Sequence, residues 1–104
     1  MNAIKFSEPW DKLKNIDGFT TIRRSTPEKA KYYHAAVNNE FQVMLNGEII
    51  GHAVLKSVDA TYGCFIPENT LADDVSMNGH MNEAWYKKIR GMDKVLLLYF
   101  ERVY

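Results

Sequence analysis

The sequence has little of what disulfide-bonded, metal-binding or membrane-spanning proteins require. Its one cysteine, Cys64, has no partner for an intrachain disulfide or a Cys-x-x-Cys zinc site, and its three histidines lack ligand spacing. We expect Cys64 to be a small, buried strand residue. The longest apolar run, Val95 to Phe100, is too short to span a bilayer, and residues 1–5 lack a signal-peptide core. These absences favour a cytoplasmic protein with no cofactor, metal or membrane segment.

An overall charge is also absent, since 13 basic residues balance 13 acidic ones. The charges are nevertheless unevenly distributed, with +3 over residues 1–36, −6 over residues 37–83 and +3 over residues 84–104. If the two ends of the chain meet in the fold, they form a basic surface, and otherwise the surface is an ordinary mixed one. No glycine-rich loop suited to cradling phosphate is present.

What the chain does contain is typical of one globular domain over residues 1–104. Hydrophobic residues make up 46% and charged residues 25% of the sequence, and no repeat or linker divides it. The first half predicts a strand at Asn2–Phe6, a helix capped by Ser7 and ended by Gly18, and a strand over Phe19–Arg24. A second helix, capped by Thr26, should run to about Val37.

The second half predicts a hairpin, a long loop and a final strand. Glu40–Leu45 alternates as a strand does, and Asn46-Gly47 is the signal for a type I′ turn. The return strand, to about Ser57, contains Gly51, which suggests a bulge. Further elements are then expected in this order: a strand over Thr61–Ile66, an irregular acidic loop from Pro67 to Asn82 with one helical turn near Leu71–Asp74, a helix from about Met81 to Ile89 ended by Gly91, and a strand over Lys94–Val103.

These elements predict an α+β fold of five or six mostly antiparallel strands. Because most of the strands form hairpins, the sheet is expected to be twisted and to curl into a small barrel. The two or three helices should then plug or flank its ends.

The order of elements and several local sequences resemble the ASCH family, whose fold is a PUA-like β-barrel. The resemblance rests on Ile4-Lys5-Phe6, on the segment from Asp17 to Arg23, on the hairpin Phe41 to Val54 and on the strand Val95 to Arg102. It implies a small barrel with a cleft that binds RNA or a nucleotide. As an alternative it implies an amidohydrolase activity, because some small members of the family hydrolyse N4-acetylcytidine.

The characteristic segment of that family places a glycine, a lysine and then an acidic or hydroxyl residue ahead of an arginine. Thr21 and Arg23 match the last two positions, whereas Gly18 stands where the lysine belongs and Lys14 is the nearest lysine. The resemblance therefore implies a catalytic site in which Thr21 is the nucleophile or an orienting group and Lys14 takes the place of the missing lysine. The acid would come from Glu68, Asp73, Asp74 or Glu83, of which Glu68 and Asp74 are the preferred candidates.

A binding function without catalysis requires less of these residues and is the interpretation we favour from the sequence. Arginine side chains hold phosphate or a base edge through two parallel hydrogen bonds, which suits Arg23 and Arg24. The expected cleft is rimmed by Thr21, Arg23, Arg24 and Lys14, faced by the loop from Pro67 to Asn82. Lys12 would widen the basic rim, and Trp10 and Tyr32 are candidates for base stacking, although Trp10 at helical spacing also fits the core.

Three functions follow in order of preference. The first is a domain that binds RNA or a nucleotide-type ligand, and the second is an amidohydrolase that acts on a modified nucleoside. The third is a protein-interaction module that uses the last strand and the methionine-rich last helix.

Overall fold

The computed structural model describes residues 2–103, and its main element is a curled five-stranded sheet. The strands, in spatial order, are β1 (Asn2–Phe6), β3 (Glu40–Leu45), β4 (Glu48–Tyr62), β7 (Lys94–Val103) and β2 (Gly18–Arg24). β1 runs parallel to β3, and the other neighbours are antiparallel. The expected α+β fold with a curled, mostly antiparallel sheet is confirmed.

The two edge strands of the sheet, β1 and β2, approach each other, which makes the sheet a half-barrel. Arg23 Nη2 donates a hydrogen bond of 3.0 Å to the carbonyl of Lys5, and the rings of Phe6 and Phe19 lie 5.9 Å apart. The interior of the curl is filled by aromatic residues, with Phe100 stacked on Phe19 at 5.3 Å and in edge contact with Phe41 at 5.2 Å. At the gap between β1 and β2, a polar side chain therefore bridges the two edge strands.

The hairpin between β3 and β4 forms as the sequence predicts. Asn46 and Gly47 both have positive φ, 50° and 84°, as a type I′ turn requires. Val43 pairs with Gly51 and Met44 with Ile49, so Ile50 is the extra residue of a bulge next to the glycine.

β4 is one strand of 15 residues, and the predicted separate strand over Thr61–Ile66 is wrong. A second register shift, between Leu55 and Ser57, lets β4 bend and stay paired with β7 as far as Tyr62. The chain then makes a 3₁₀ turn over Gly63–Phe65, which leaves Cys64 exposed rather than buried.

Three α-helices pack around the sheet. α1 (Pro27–Ala35) begins where Thr26 Oγ1 accepts a hydrogen bond from the amide of Lys29, and it ends before the predicted Val37. The helical turn predicted near Leu71–Asp74 is part of α2 (Glu68–Asp74), and the rest of the predicted irregular loop contains the small hairpin β5 (Ser76–Met77) and β6 (His80–Met81). Leu71 and Val75 are buried at helical spacing, which favours the helix. α3 (Glu83–Arg90) is capped by Asn82, so Met81 lies outside the helix.

The predicted helix after Ser7 is instead a single 3₁₀ turn over Asp11–Lys14, and Ser7 does not cap it. The guanidinium of Arg102 donates hydrogen bonds to the carbonyls of Leu13 and Asn15. These carbonyls would accept intrahelical bonds if an α-helix continued, so the turn ends here. Among residues 2–103, no helix has the length and hydrophobicity needed to cross a membrane.

Candidate functional site

A cavity of about 110 Å³ lies at the gap between β1 and β2. The 3₁₀ turn, the end of α2 and one face of α3 cover it. Its walls combine aromatic rings with a few polar groups, which is the usual composition of a small-ligand site. The side chains that line it include Phe6, Trp10, Lys12, Thr21, Arg23, Asp74, Trp85 and Ile89.

The centre of the site is a buried ion pair. Lys12 Nζ lies 2.7 Å from Asp74 Oδ1, and only 5% and 6% of the two side chains is exposed. Lys12 comes from the 3₁₀ turn and Asp74 is the last residue of α2, while the Thr20 side chain on β2 lies near enough to Asp74 to favour its charged form. Three separate elements therefore place one amine and one carboxylate together.

Burial changes the proton affinity of both partners of this pair. Loss of solvent lowers the pKa of Lys12, and the opposing attraction of Asp74 does not compensate for it. Loss of solvent likewise raises the pKa of Asp74, against the effect of Lys12. The uncharged forms of both groups are thus nearer in free energy to the charged forms than in water, so Lys12 can act as a proton acceptor.

Thr21 and Arg23 point into the same region from β2. Thr21 is 3% exposed, and Arg23 lies with its guanidinium carbon 5.0 Å from the centre of the Phe6 ring. Burial lowers the pKa of Arg23, but a guanidinium stays protonated in proteins. Its Nε is buried and has no hydrogen-bond partner among residues 2–103. An oxygen of a bound ligand would satisfy this donor.

Aromatic side chains form the rest of the wall. Trp10 and Trp85 meet edge to face at 5.8 Å, and Lys88 Nζ lies 4.4 Å from the Trp85 ring centre. Trp10 is buried, so it forms part of the cavity wall and of the core together. The rings limit access of water to the ion pair, which strengthens its electrostatic effect on a ligand.

The structure brings together some of the residues proposed from the sequence and separates others. Trp10, Lys12, Thr21, Arg23 and Asp74 all line the cavity. From the predicted facing loop, only Asp74 and Val75 reach it. Lys14, Arg24, Tyr32, Glu68, Asp73 and Glu83 do not line it.

Those outlying residues have other surroundings. Lys14 lies in a groove beside Ile16 on another part of the surface, and Arg24 is exposed at the end of β2. Tyr32 donates a hydrogen bond of 2.9 Å to Asn2 Oδ1. Glu68 is exposed and accepts hydrogen bonds from Tyr86 at 2.6 Å and Arg90 at 2.9 Å.

Gly18 cannot carry the lysine that the resemblance implies at this position. A Cβ atom built on Gly18 would lie 2.2 Å from the carbonyl oxygen of Phe100 on β7. The amine in the site belongs to Lys12, six residues earlier and on a different element. An α-helical spacing places Lys14 beside Trp10, whereas a 3₁₀ turn aligns Leu13 with Trp10, and here Lys12 and Leu13 are the buried residues of the turn.

Compared with protein-family models, curated proteins and solved structures, the chain matches none. Within the described part of the chain, no three His, Cys, Asp or Glu side chains lie close enough to hold a metal ion. The chemistry of the site is therefore argued from its own residues.

Proposed function

We propose that this protein is a small hydrolase that cleaves an amide bond on a nucleobase-type ligand, in an ASCH-type, PUA-like domain. The observation that carries the proposal is the buried Lys12–Asp74 pair in the same cavity as the Thr21 hydroxyl. Hydrolysis of an amide needs a nucleophile and a nearby group that accepts its proton. A buried lysine with a lowered pKa supplies that group.

Each residue then has a distinct role. As Thr21 Oγ1 attacks the amide carbon, neutral Lys12 takes the hydroxyl proton, and the donors of Arg23 stabilise the negative charge on the amide oxygen. The carbon–nitrogen bond breaks when the leaving nitrogen receives that proton from Lys12. Water, activated in the same way, then hydrolyses the ester on Thr21 and releases the carboxylic acid. Asp74 holds and orients the Lys12 amine throughout.

The size of the cavity limits the part of the ligand that enters it. Pockets for whole drug-sized ligands measure roughly 300–1,000 Å³, and this one measures about 110 Å³. It has room for a small acyl group and the edge of a base, while a sugar would remain outside. Together with the resemblance to ASCH proteins, this favours an N-acylated nucleoside such as N4-acetylcytidine as the first substrate to test.

The proposal is tested by incubating the protein with N4-acetylcytidine and measuring cytidine by chromatography. We expect turnover by the wild type and loss of at least about a hundredfold in Thr21→Ala and Lys12→Met, because each removes a group that acts on the reacting atoms. Lys14→Met is the matched control and should retain activity, since Lys14 lies outside the cavity. Absence of turnover at high concentrations of wild-type protein contradicts a hydrolase with this substrate.

Binding without turnover is the second candidate, and it is favoured by Arg23 Nε, which has no hydrogen-bond partner in the described part of the chain. In that case the wild type binds cytidine or a cytidine nucleotide without consuming it, and Thr21→Ala leaves the affinity nearly unchanged. Arg23→Ala should weaken the affinity, because it removes the donors that the ligand would satisfy. Calorimetric titration of the two variants separates this candidate from the hydrolase.

A further inference from the structure

Three consecutive side chains at the first 3₁₀ turn contact three consecutive segments of the chain. Trp10 meets Trp85 of α3 edge to face at 5.8 Å, and Lys12 pairs with Asp74 of α2 at 2.7 Å. Asp11, which stands between them in sequence, contacts the β5–β6 hairpin that joins α2 to α3. The proposed mechanism gives roles to Lys12 and Asp74 and none to Asp11.

The Asp11 carboxylate accepts two hydrogen bonds from the turn of that hairpin. Oδ1 accepts from the amide of Asn78 at 2.9 Å, and Oδ2 accepts from the amide of Gly79 at 2.8 Å. Both turn residues have positive φ, 54° and 79°. Successive amides in a turn form a concavity that binds an anion. Here the anion is a carboxylate of the same chain, so it joins the hairpin to the 3₁₀ turn.

The hairpin depends on contacts of this kind for its position. The ladder between β5 and β6 consists of two residue pairs, and a two-stranded hairpin alone is marginally stable in water. The chain enters β5 directly from Asp74 and Val75, and both of these residues line the cavity. The position of the hairpin therefore affects the carboxylate that pairs with Lys12.

We propose that Asp11 is a positioning residue of the site, which holds the hairpin against the 3₁₀ turn and so keeps Lys12 paired with Asp74 and away from water. Asp11 precedes Lys12 directly, and Asn78 follows Asp74 by four residues. The Asp11 contact and the buried pair therefore join the same two stretches of chain. Without the Asp11 contact these stretches move more freely, and water reaches the pair. The inference rests on the proposed function for its part in catalysis, because it concerns the residue that accepts the proton.

Several charged groups surround the Lys12 amine and remain when Asp11 is replaced. Asp74 on α2 raises the pKa of Lys12, and Arg23 on β2 lowers it. The other charged residues of the cavity, and of the neighbouring groove that Lys12 also lines, are Lys5, Glu8, Asp17 and Asp73. An effect of Asp11→Ala on Lys12 must therefore come from loss of Asp11 itself or from a change in the contacts that it holds.

These two causes change the pKa of Lys12 in opposite directions. Loss of solvent is the largest influence on this pKa and lowers it, while the attraction of Asp74 is smaller and raises it. Water that reaches the pair removes the larger influence, so the pKa of Lys12 should rise in Asp11→Ala. Loss of a nearby negative charge alone would destabilise the ammonium form and lower the pKa.

The test follows Lys12 by NMR in protein that contains ¹³C-labelled lysine, with its Cε signal identified by its absence from Lys12→Met. The midpoint of its pH titration should be higher in Asp11→Ala than in the wild type. Asp11→Asn keeps one acceptor for the turn and should give a smaller rise. Asn78→Gly is the matched control, because glycine tolerates the positive φ and keeps the amide, so its midpoint should equal that of the wild type.

The same variants are then compared in the hydrolysis of N4-acetylcytidine over a range of pH. In Asp11→Ala, kcat/KM near pH 7 should fall by about a hundredfold, which is the scale for a displaced catalytic group, and the rising limb should move to higher pH. A merely structural role would lower the rate at every pH and leave the limb in place. Asn78→Gly should keep the wild-type profile.

The NMR titration needs no substrate, so its outcome is separate from that of the proposed function. A midpoint that rises in Asp11→Ala supports the positioning role even where N4-acetylcytidine is not hydrolysed. A midpoint that stays or falls in folded Asp11→Ala, or that rises equally in Asn78→Gly, overturns the role even where the wild type hydrolyses the nucleoside. If Asp11→Ala does not fold, the same comparison with Asp11→Asn decides.

Discussion

At the residue scale, the site depends on how burial alters one amine and one carboxylate. Lys12 and Asp74 make a contact of 2.7 Å, which in water would keep both charged. Their near-complete burial works against those charges, so the pKa of Lys12 is lowered and that of Asp74 is raised. This is how a lysine becomes a base below the pH at which a solvated lysine loses its proton.

The pH dependence of turnover follows from that argument. In the proposed mechanism the deprotonated form of Lys12 is the active one, so kcat/KM should rise with pH through the lowered pKa of Lys12. Asp74 opposes the lowering, because its negative charge stabilises the ammonium form. In Asp74→Asn the pKa of Lys12 falls further, and the rising limb of the profile should move to lower pH.

A pH-rate profile of N4-acetylcytidine hydrolysis by wild type and Asp74→Asn provides the measurement. Glu68→Gln is the control, since Glu68 is exposed and lies outside the cavity, and its limb should not move. A limb that moves to higher pH in Asp74→Asn would show that the ionisation of a group other than Lys12 controls the rate.

At the element scale, close contact between β2 and β7 decides where the amine of the site comes from. The backbone of Gly18 lies so near the carbonyl of Phe100 that no side chain fits between the strands. The 3₁₀ turn brings Lys12 to the place that position 18 cannot serve. Arg102 supports the turn from β7 through hydrogen bonds to two of its carbonyls.

The tight contact predicts the effect of a single methyl group. Gly18→Ala should reduce the free energy of unfolding by about 1–3 kcal/mol, because overpacking forces a backbone shift between paired strands. Gly91→Ala is the control: its Cβ would meet atoms no closer than 3.5 Å, so its effect should stay within about 0.5 kcal/mol. Urea denaturation followed by tryptophan fluorescence measures both, and equal stability of the two variants would contradict the proposed contact.

At the scale of the whole molecule, the ion pair joins residues 62 positions apart and closes the open side of the half-barrel. Such a pair does not stabilise the fold in proportion to its short distance, because both groups lose solvent. Asp74 has a raised pKa in the folded state, so its contribution to stability is full below its unfolded pKa and is lost as pH rises through the folded value. The pair is therefore better explained by function than by stability.

Removal of one or both partners tests this explanation. Lys12→Met should lower the free energy of unfolding near pH 7 by about 3–5 kcal/mol, because Asp74 is left as a buried, unpaired charge. The loss should shrink in acid, where Asp74 becomes protonated. The double variant Lys12→Met, Asp74→Asn should recover to within about 1 kcal/mol of the wild type and remain inactive, since no charge is left unpaired. Denaturation at the two pH values gives these differences, and a double variant less stable than Lys12→Met would contradict the argument.

Prediction from the sequence succeeded where the signal was local. The cap at Thr26, the turn at Asn46-Gly47 and the bulge at Gly51 were all predicted, because each depends on the conformational preferences of a few adjacent residues. At α2 it found only the helical turn near Leu71–Asp74 and missed the start of the helix at Glu68, and at the first 3₁₀ turn it failed. α2 has one buried apolar residue, Leu71, to indicate it, and the 3₁₀ turn is shaped by Arg102, which is remote in sequence.

The sequence by itself determined most of the strands, the sharp turns and the class of fold, since apolar residues that recur every two or every three to four positions show which side of a strand or helix is buried. It also pointed to Thr21 and Arg23. Only the tertiary structure decided that Lys12 rather than Lys14 meets Asp74, and that Arg24 is exposed at the end of β2, outside the cavity that Arg23 lines. These choices depend on the curl of the sheet and on loss of solvent at one point, and neither leaves a periodic pattern in the chain.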